Sequence, residues 1–257
     1  MLLTFDIGNT SIKIGVYEGE TLRGYWRIAT QRTQLADEFA VLITNLLRLR
    51  GIELKQITGC GVSSVVPQVT NQIRQMVQSY LNVQPVIIGP GTENGLTFNI
   101  ETPDMMGADR IANSLAALHK YGAPAIAIAF GTATAFDVLD SNGVYIGGAI
   151  APGLSISADA LFRSAARLYQ IDLIAPPNVI GKNTVHYMQS GLIIGYAGLV
   201  EGLVKRMHNE LGGACKVIAT GGLADVVAQQ TDAIDVVDRY LTLEGVRMIY
   251  ELNRGNQ

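Results

Sequence analysis

Asp6 stands two residues before a glycine turn, in the run Phe5-Asp6-Ile7-Gly8-Asn9-Thr10-Ser11. A tight glycine-containing turn offers successive backbone N–H groups to a phosphate, and Asn and Thr side chains add uncharged donors. A carboxylate near the end of the preceding strand can hold Mg²⁺, directly or through water, against the phosphates of ATP. The same residues also make an ordinary hairpin, since Asn and Gly are common turn formers. A second donor-rich turn follows at Phe130-Gly131-Thr132-Ala133-Thr134, and a third glycine cluster at Ala219-Thr220-Gly221-Gly222. Glycines in that third place let a flat purine approach the backbone, or simply turn the chain from strand to helix. Met106-Gly107-Ala108-Asp109-Arg110 opens a helix after Pro103. Asp109 falls in its first turn, where its charge complements the helix dipole. The alternative is that it accepts the proton of a substrate hydroxyl attacking a γ-phosphate. The planar fork of Arg110 suits a substrate carboxylate. His119, His186 and His208 show no metal-ligand spacing.

The elements that must position these residues follow from periodicity. Leu2 to Ile7, Ile12 to Tyr17 and Leu22 to Ile28 read as three strands separated by turns. Apolar residues at Phe39, Leu42, Ile43, Leu46 and Leu49 have helical spacing, predicting a helix from Leu35 to Arg50. Ile57 to Val66 and Val86 to Gly89 return to strand around a helix at Val69 to Leu81. Ala125 to Phe130, Ala135 to Leu139 and Val144 to Ile150 repeat the opening three-strand order, with Gly131 aligned on Gly8. Helices are expected at Asp159 to Leu168, at Thr184 to Leu211 with a break near Gly195-Tyr196, and at Leu241 to Asn253. The pattern is α/β, with two halves, 1–115 and 116–257, joined through a helix at Ala108 to Tyr121. A hairpin centred on Gly131 to Thr134 sets Ala129 opposite Phe136, and Asp137 on the other face.

Composition limits the partners. The formal net charge of −3 and the absence of like-charged blocks argue against general binding to nucleic acid or an anionic membrane. No stretch approaches the ~18–20 apolar residues that span a bilayer. Asp6 interrupts a short N-terminal apolar run, unlike a signal peptide. Cys60 and Cys215 form no metal-spaced pair and read as reduced thiols of a cytoplasmic protein.

Further runs stand in order between these motifs: Val62-Ser63-Ser64-Val65-Val66-Pro67, Gly147-Gly148 with Pro152-Gly153, Gly181-Lys182-Asn183-Thr184 and Met188-Gln189-Ser190-Gly191. The whole series, from Met1 to about Tyr250, resembles type III pantothenate kinase. The resemblance implies two actin-like (ribonuclease H-like) domains, each with a mixed five-stranded sheet, and an ATP cleft between them. It implies a homodimer that phosphorylates pantothenate to 4′-phosphopantothenate with ATP, the first committed step of coenzyme A synthesis. By position, Asp6, Ile7, Gly8, Asn9, Thr10, Ser11, Ile12 and Lys13 would contact ATP and its divalent ion, Mg²⁺ or a similar one, with Asp6 at the metal. Thr132 would contact ATP from the second half. Gly107, Ala108, Asp109 and Arg110 would bind pantothenate, with Asp109 as general base. Thr184 would also touch pantothenate, in a pocket that a second subunit helps to complete. The family uses a monovalent cation, potassium or ammonium, at an acid that begins its second phosphate motif; that position here is Ala129. A substrate-pocket Tyr of related enzymes aligns with Ile100. The substitution at Ala129 keeps open a catalytically weakened, ligand-binding regulatory homologue, alongside another small-molecule kinase of the superfamily.

Overall fold

A computed structural model of the protein describes residues 1–165 and 167–255. The chain packs into two compact units, the first made of Met1–Leu96, Thr102–Ala116 and the C-terminal segment from Leu241, the second of Thr97–Glu101 and Ala117–Tyr240.

The first unit opens with β1 (Leu2–Ile7), β2 (Ser11–Glu18) and β3 (Thr21–Ala29), then α1 (Ala36–Arg48), β4 (Gly59–Ser64), α2 (Pro67–Met76) and β5 (Val86–Ile87). The sheet order is β3-β2-β1-β4-β5, with β1 antiparallel to β2 and parallel to β4. Period-2 alternation decides the faces. Leu3, Phe5 and Ile7 of β1 and Ile12, Ile14 and Val16 of β2 join Phe39 and Ile43 of α1 and Val69 and Ile73 of α2 in one apolar core. The opposite face carries Thr4 and Asp6.

The second unit takes in the two-residue strand β6 (Thr97–Phe98). The chain then returns to the first unit for the start of α3 (Ala108–Tyr121), whose residues from Ala117 onward belong to the second. Next come β7 (Ala125–Phe130), β8 (Ala133–Leu139), β9 (Val144–Pro152), α4 (Leu154–Ser164), α5 (Thr184–Gln189), α6 (Gly195–Glu210), β10 (Lys216–Gly221), α7 (Ala224–Ala228) and β11 (Val236–Val237). The order β11-β10-β7-β8-β9-β6 repeats the five-strand arrangement of the first sheet and adds β6 at one edge. This sheet is therefore six-stranded, where five were expected; two residues are too few to show alternation. Ile126, Ile128 and Phe136 pack on Val200 and Val204 of α6.

Three local expectations change. The helix expected at 159–168 is α4, which starts earlier behind Gly153 and ends at Ser164; position 166 of the expected span lies outside the described residues. The long helix from Thr184 is interrupted by a π-helical turn at Ser190–Ile194, one turn before the expected break. The second hairpin is tighter than supposed. Ala129 pairs with Ala135, and Ala127 with Asp137. Directly paired residues share a face, so Asp137 lies on the same face as Ala129, not the opposite one.

The last helix, α8 (Leu241–Asn253), belongs to the first unit, whereas the division at 115/116 assigned it to the second. Its amphipathic stripe signalled burial but could not name the sheet that buries it. Glycines make its seat on the sheet: a Cβ on Gly15 would meet Leu243, on Gly61 Val246, and on Gly59 Tyr250. Against α3, a Cβ on Gly245 would stand 2.8 Å from Ala112 Cα and closer still to the Ala112 carbonyl. Among the described residues, no helix is long and apolar enough to cross a membrane.

Candidate active site

In the first unit, strand register builds a polar row across four strands: Arg27 pairs with Lys13, Lys13 with Asp6, and Asp6 with Ser63. Lys13 Nζ donates to Asp6 Oδ2 at 2.9 Å. Burial alone would lower the Lys13 pKa, but the charge and hydrogen bond of Asp6 outweigh it and hold the ammonium above its ordinary value. The β1–β2 turn is tied at several points. Gly8 N donates to Ser11 O (3.1 Å), and Thr30 Oγ1 to Gly8 O (2.6 Å). Arg32 Nη2 donates to Asn9 Oδ1 (3.1 Å), and Arg27 Nε to Ser11 Oγ (3.0 Å). Three cations thus surround the turn, a setting suited to phosphates. Arg27 and Arg32 were not singled out in the sequence; the signal for Arg27 was its register opposite Lys13. Ile7 and Ile12 turn their side chains into the core, so they can offer a ligand only backbone groups.

Asp109 lies in the first turn of α3, and its Oδ1 accepts from the backbone N–H of Arg110 at 3.0 Å. Gly107 is required by this arrangement, since a Cβ there would fall 2.7 Å from Asp109 Oδ1. Burial pushes the Asp109 pKa up, and the negative charge of Asp6 pushes it further; the backbone N–H of Arg110 and its charge pull the other way. The two acids therefore sense each other within one unit but have different companions. Asp6 is ion-paired, while Asp109 is held nearer to neutrality, as a proton acceptor working near neutral pH requires. Ala108 is buried beside it, and Arg110 is half-buried.

In the second unit, motifs noted separately converge on the β7–β8 turn. Gly131 N donates to Ala133 O (3.1 Å), and Gly153 N to Thr132 O (3.1 Å). A Cβ on Gly153 would fall 2.8 Å from the Thr132 carbonyl carbon, and one on Gly221 (φ +106°) 2.8 Å from that of Phe130. Tyr196 OH bonds both Thr134 Oγ1 and Pro152 O at 2.7 Å. Thr132 sits exposed on this braced turn. Ala129 contributes a methyl group between Thr220 and Ala135. Asp137, on that face, is buried and accepts from Tyr145 OH at 2.9 Å.

Thr184 begins α5, whose N-terminus is capped by Asn183 accepting from His186 N at 2.9 Å. It lines an apolar groove of about 370 Å³ with Leu161, Leu168, Tyr187, Met188 and Leu192. A larger depression of about 730 Å³, beside Glu201, Lys205, His208 and Asp232, contains none of the residues assigned to nucleotide, metal or substrate from the sequence. Among the described residues, no group of three or more His, Cys, Asp or Glu forms a metal cage. An ion at Asp6 would therefore be held by few protein ligands together with phosphate and water, which is how Mg²⁺ is commonly bound.

The chain matches the family model described as type III pantothenate kinase over residues 2–206. It is 60% identical over 254 residues to the type III pantothenate kinase of Roseiflexus sp. (strain RS-1), covering 99% of this chain and 100% of that one. The corresponding protein of Moorella thermoacetica is 47% identical over 253 residues, with 98% and 100% covered. Among solved structures, a Baf family protein from Campylobacter jejuni matches with a TM-score of 0.61 at 20% identity, covering 98% of this chain and 99% of that one. The Acidaminococcus fermentans (R)-2-hydroxyglutaryl-CoA dehydratase component A matches with a TM-score of 0.60 at 13% identity, covering 99% and 98%. At such identities these likenesses speak for the fold alone, which is the expected actin-like α/β architecture with two mixed sheets. By its sequence from end to end, the chain belongs to the type III pantothenate kinase family.

Proposed function

We propose that the protein is a pantothenate kinase that transfers the γ-phosphoryl group of ATP to pantothenate, giving ADP and 4′-phosphopantothenate at the start of coenzyme A synthesis. The observation that carries this reading is the pair of acids in the first unit: Asp6 ion-paired to Lys13, and Asp109 raised toward neutrality by burial and by Asp6. The pantothenate hydroxyl oxygen bonds to the γ-phosphorus, the bond from that phosphorus to the ADP oxygen breaks, and Asp109 takes the hydroxyl proton. Lys13 moves from Asp6 to the phosphates, which the backbone and side chains of Asp6 to Lys13 surround, with Thr132 as a further nucleotide contact. Gly107 to Arg110 and Thr184 bind pantothenate, Arg110 taking its carboxylate. The lone Asp6 carboxylate beside a phosphate-binding turn fits a hard divalent ion, which when bound neutralises charge building on the transferring group. For potassium or ammonium, the side chain of Ala129 does not fit as a ligand, because a methyl group brings no oxygen.

We propose a homodimer formed through the second unit. Ile150, Ile156, Val179, Ile180 and Tyr187 are large and exposed there. On α6 and the turn before it, Gly191, Gly195, Gly198 and Gly202 recur on one open face that would admit a close helix contact. A cytoplasmic setting agrees with two free thiols.

A coupled assay with pantothenate as the only acceptor, and Mg²⁺ and potassium or ammonium present, tests the reading. ATP-dependent 4′-phosphopantothenate is expected. No product at high enzyme concentration refutes it in favour of a regulatory homologue, the alternative that Ala129 favours and retained Asp6 and Asp109 oppose. Turnover only with another acceptor points to a different small-molecule kinase.

A further inference from the structure

Ser63 is fully buried, yet its hydroxyl oxygen has neither donor nor acceptor partner. Buried hydroxyls are nearly always hydrogen-bonded, and one left alone is destabilising. The position of this one is informative. β4 runs parallel to β1 with Ser63 in register with Asp6, so the two side chains stand on the same face, about 5 Å apart. On the other side of Asp6, Lys13 occupies Oδ2. In the rows behind, Gly15, Gly61 and Gly59 seat α8 and the Thr4 hydroxyl is spent on Gly15 O, so the row of Asp6 is the polar one nearest the strand ends.

The second sheet repeats the arrangement. β10 runs parallel to β7 with Thr220 in register with Ala129, the residue in the slot of Asp6. Thr220 is likewise buried, and its hydroxyl likewise has no partner. In both sheets, then, the strand after the crossover sets a hydroxyl beside the acid position. In the second, the acid is missing.

We propose that Ser63 is a positioning residue for Asp6. In the ligand-free chain, Lys13 restrains the carboxylate. When nucleotide draws the Lys13 ammonium to its phosphates, Asp6 loses that hydrogen bond just as one of its oxygens turns to the divalent ion. A carboxylate has about four lone-pair sites, so the other oxygen remains free to accept. The Ser63 hydroxyl donates there and fixes the plane of the carboxylate. Carboxylates that bind metals are themselves hydrogen-bonded, and removing such a partner typically costs about 10–100-fold in metal affinity.

This rests on the kinase reading, and its test separates the two. Mn²⁺ is titrated into the full chain with ATP present and pantothenate absent, free ion being read by electron paramagnetic resonance against a matched titration of ATP alone, for the unaltered protein and Ser63→Ala. Thermal midpoints are measured without ligand. The expected result is about 10–100-fold weaker Mn²⁺ binding in the variant, with an unchanged or higher midpoint, because an unsatisfied hydroxyl has been removed. Equal Mn²⁺ affinity in the two proteins overturns the role of Ser63. A midpoint lowered by several degrees overturns it too, since the hydroxyl would then be a structural bond. If the unaltered protein binds no Mn²⁺ with ATP, the kinase reading itself fails and takes this proposal with it.

Discussion

Replacing Gly245 by alanine tests whether the closing helix sets the position of Asp109. Glycine inside a helix is about 1 kcal/mol less favourable than alanine, so propensity alone predicts that Gly245→Ala stabilises α8. The packing predicts the opposite. The new Cβ would stand 2.8 Å from Ala112 Cα and nearer still to its carbonyl. Carbon atoms rest at about 3.5–4.0 Å, so α3 and α8 must separate by roughly 1 Å. Ala112 follows Asp109 by three residues, on the same side of the same helix, and a shift of one carries the other. Overpacking costs about 1–3 kcal/mol, and after the propensity gain a net loss of roughly 0–2 kcal/mol remains. At about 2–4 °C per kcal/mol, the midpoint falls by at most about 8 °C. Catalysis should suffer more, since a misplacement of about 1 Å costs on the order of 10²-fold in rate. The assay is kcat for 4′-phosphopantothenate at saturating substrates, well below the midpoint, alongside calorimetry. A lower midpoint with unchanged kcat would show that α3 yields without moving Asp109. No change in either would show that the crossing has slack, and the reasoning would be wrong.

The remaining predictions are shorter. Asp109→Asn should lower kcat by about 10²–10⁴-fold. Because burial and Asp6 raise the Asp109 pKa, the base is lost as pH falls through that raised value. The acid limb of kcat/KM should therefore lie above the ordinary carboxylate range and vanish in the variant; a limb at the ordinary value would remove the electrostatic argument. Ala129→Asp should raise the rate and its response to potassium at constant Mg²⁺, with Thr220 available to donate to the new carboxylate. Identical potassium curves would show that this position is not the cation site, making Asp137, on the same face, the next acid to examine. Gly198→Lys, at a position where an added Cβ meets nothing within 4 Å in the single chain, should yield monomers by sedimentation velocity if α6 forms the dimer contact. A dimer that persists would place the contact elsewhere.

Sequence and structure agree where the signal is local. β1, β7, α3 and α8 have the expected limits, because alternation or helical spacing there runs cleanly into a turn or cap. The repeat of three strands was readable although little beyond Gly8 and Gly131 matches. The second turn is one residue shorter, pairing Phe130 with Thr134 where the first pairs Ile7 with Ile12, which throws later residues out of alignment. That single residue also misplaced Asp137, since a one-place slip exchanges the faces of a strand. Arg27 and Ser63 were given no role for a different reason. Their relation to Asp6 exists only once β3 and β4 are laid beside β2 and β1, and neither pairing is encoded in the segment itself. β6 and β11 are two residues each, and their neighbours in the sheet, not their own composition, make them strands.

The place of α8 has a consequence for the order in which the molecule can assemble. The sheet bearing Asp6 is written first, yet the helix that covers its glycine-lined face comes after the second unit. At about 5–20 residues per second, Ala117–Tyr240 takes roughly 6–25 s to synthesise. Throughout that interval the first unit lacks part of its wall, and at its end the second has all of its own strands and helices while α8 is still to come. The later half of the chain can therefore reach its native packing before the earlier half. An open sheet face during synthesis is a site for mispairing, and its closure depends on contacts between residues far apart in sequence, which form slowly. Removing α8 would leave the sheet that bears Asp6 without the helix that covers its glycines.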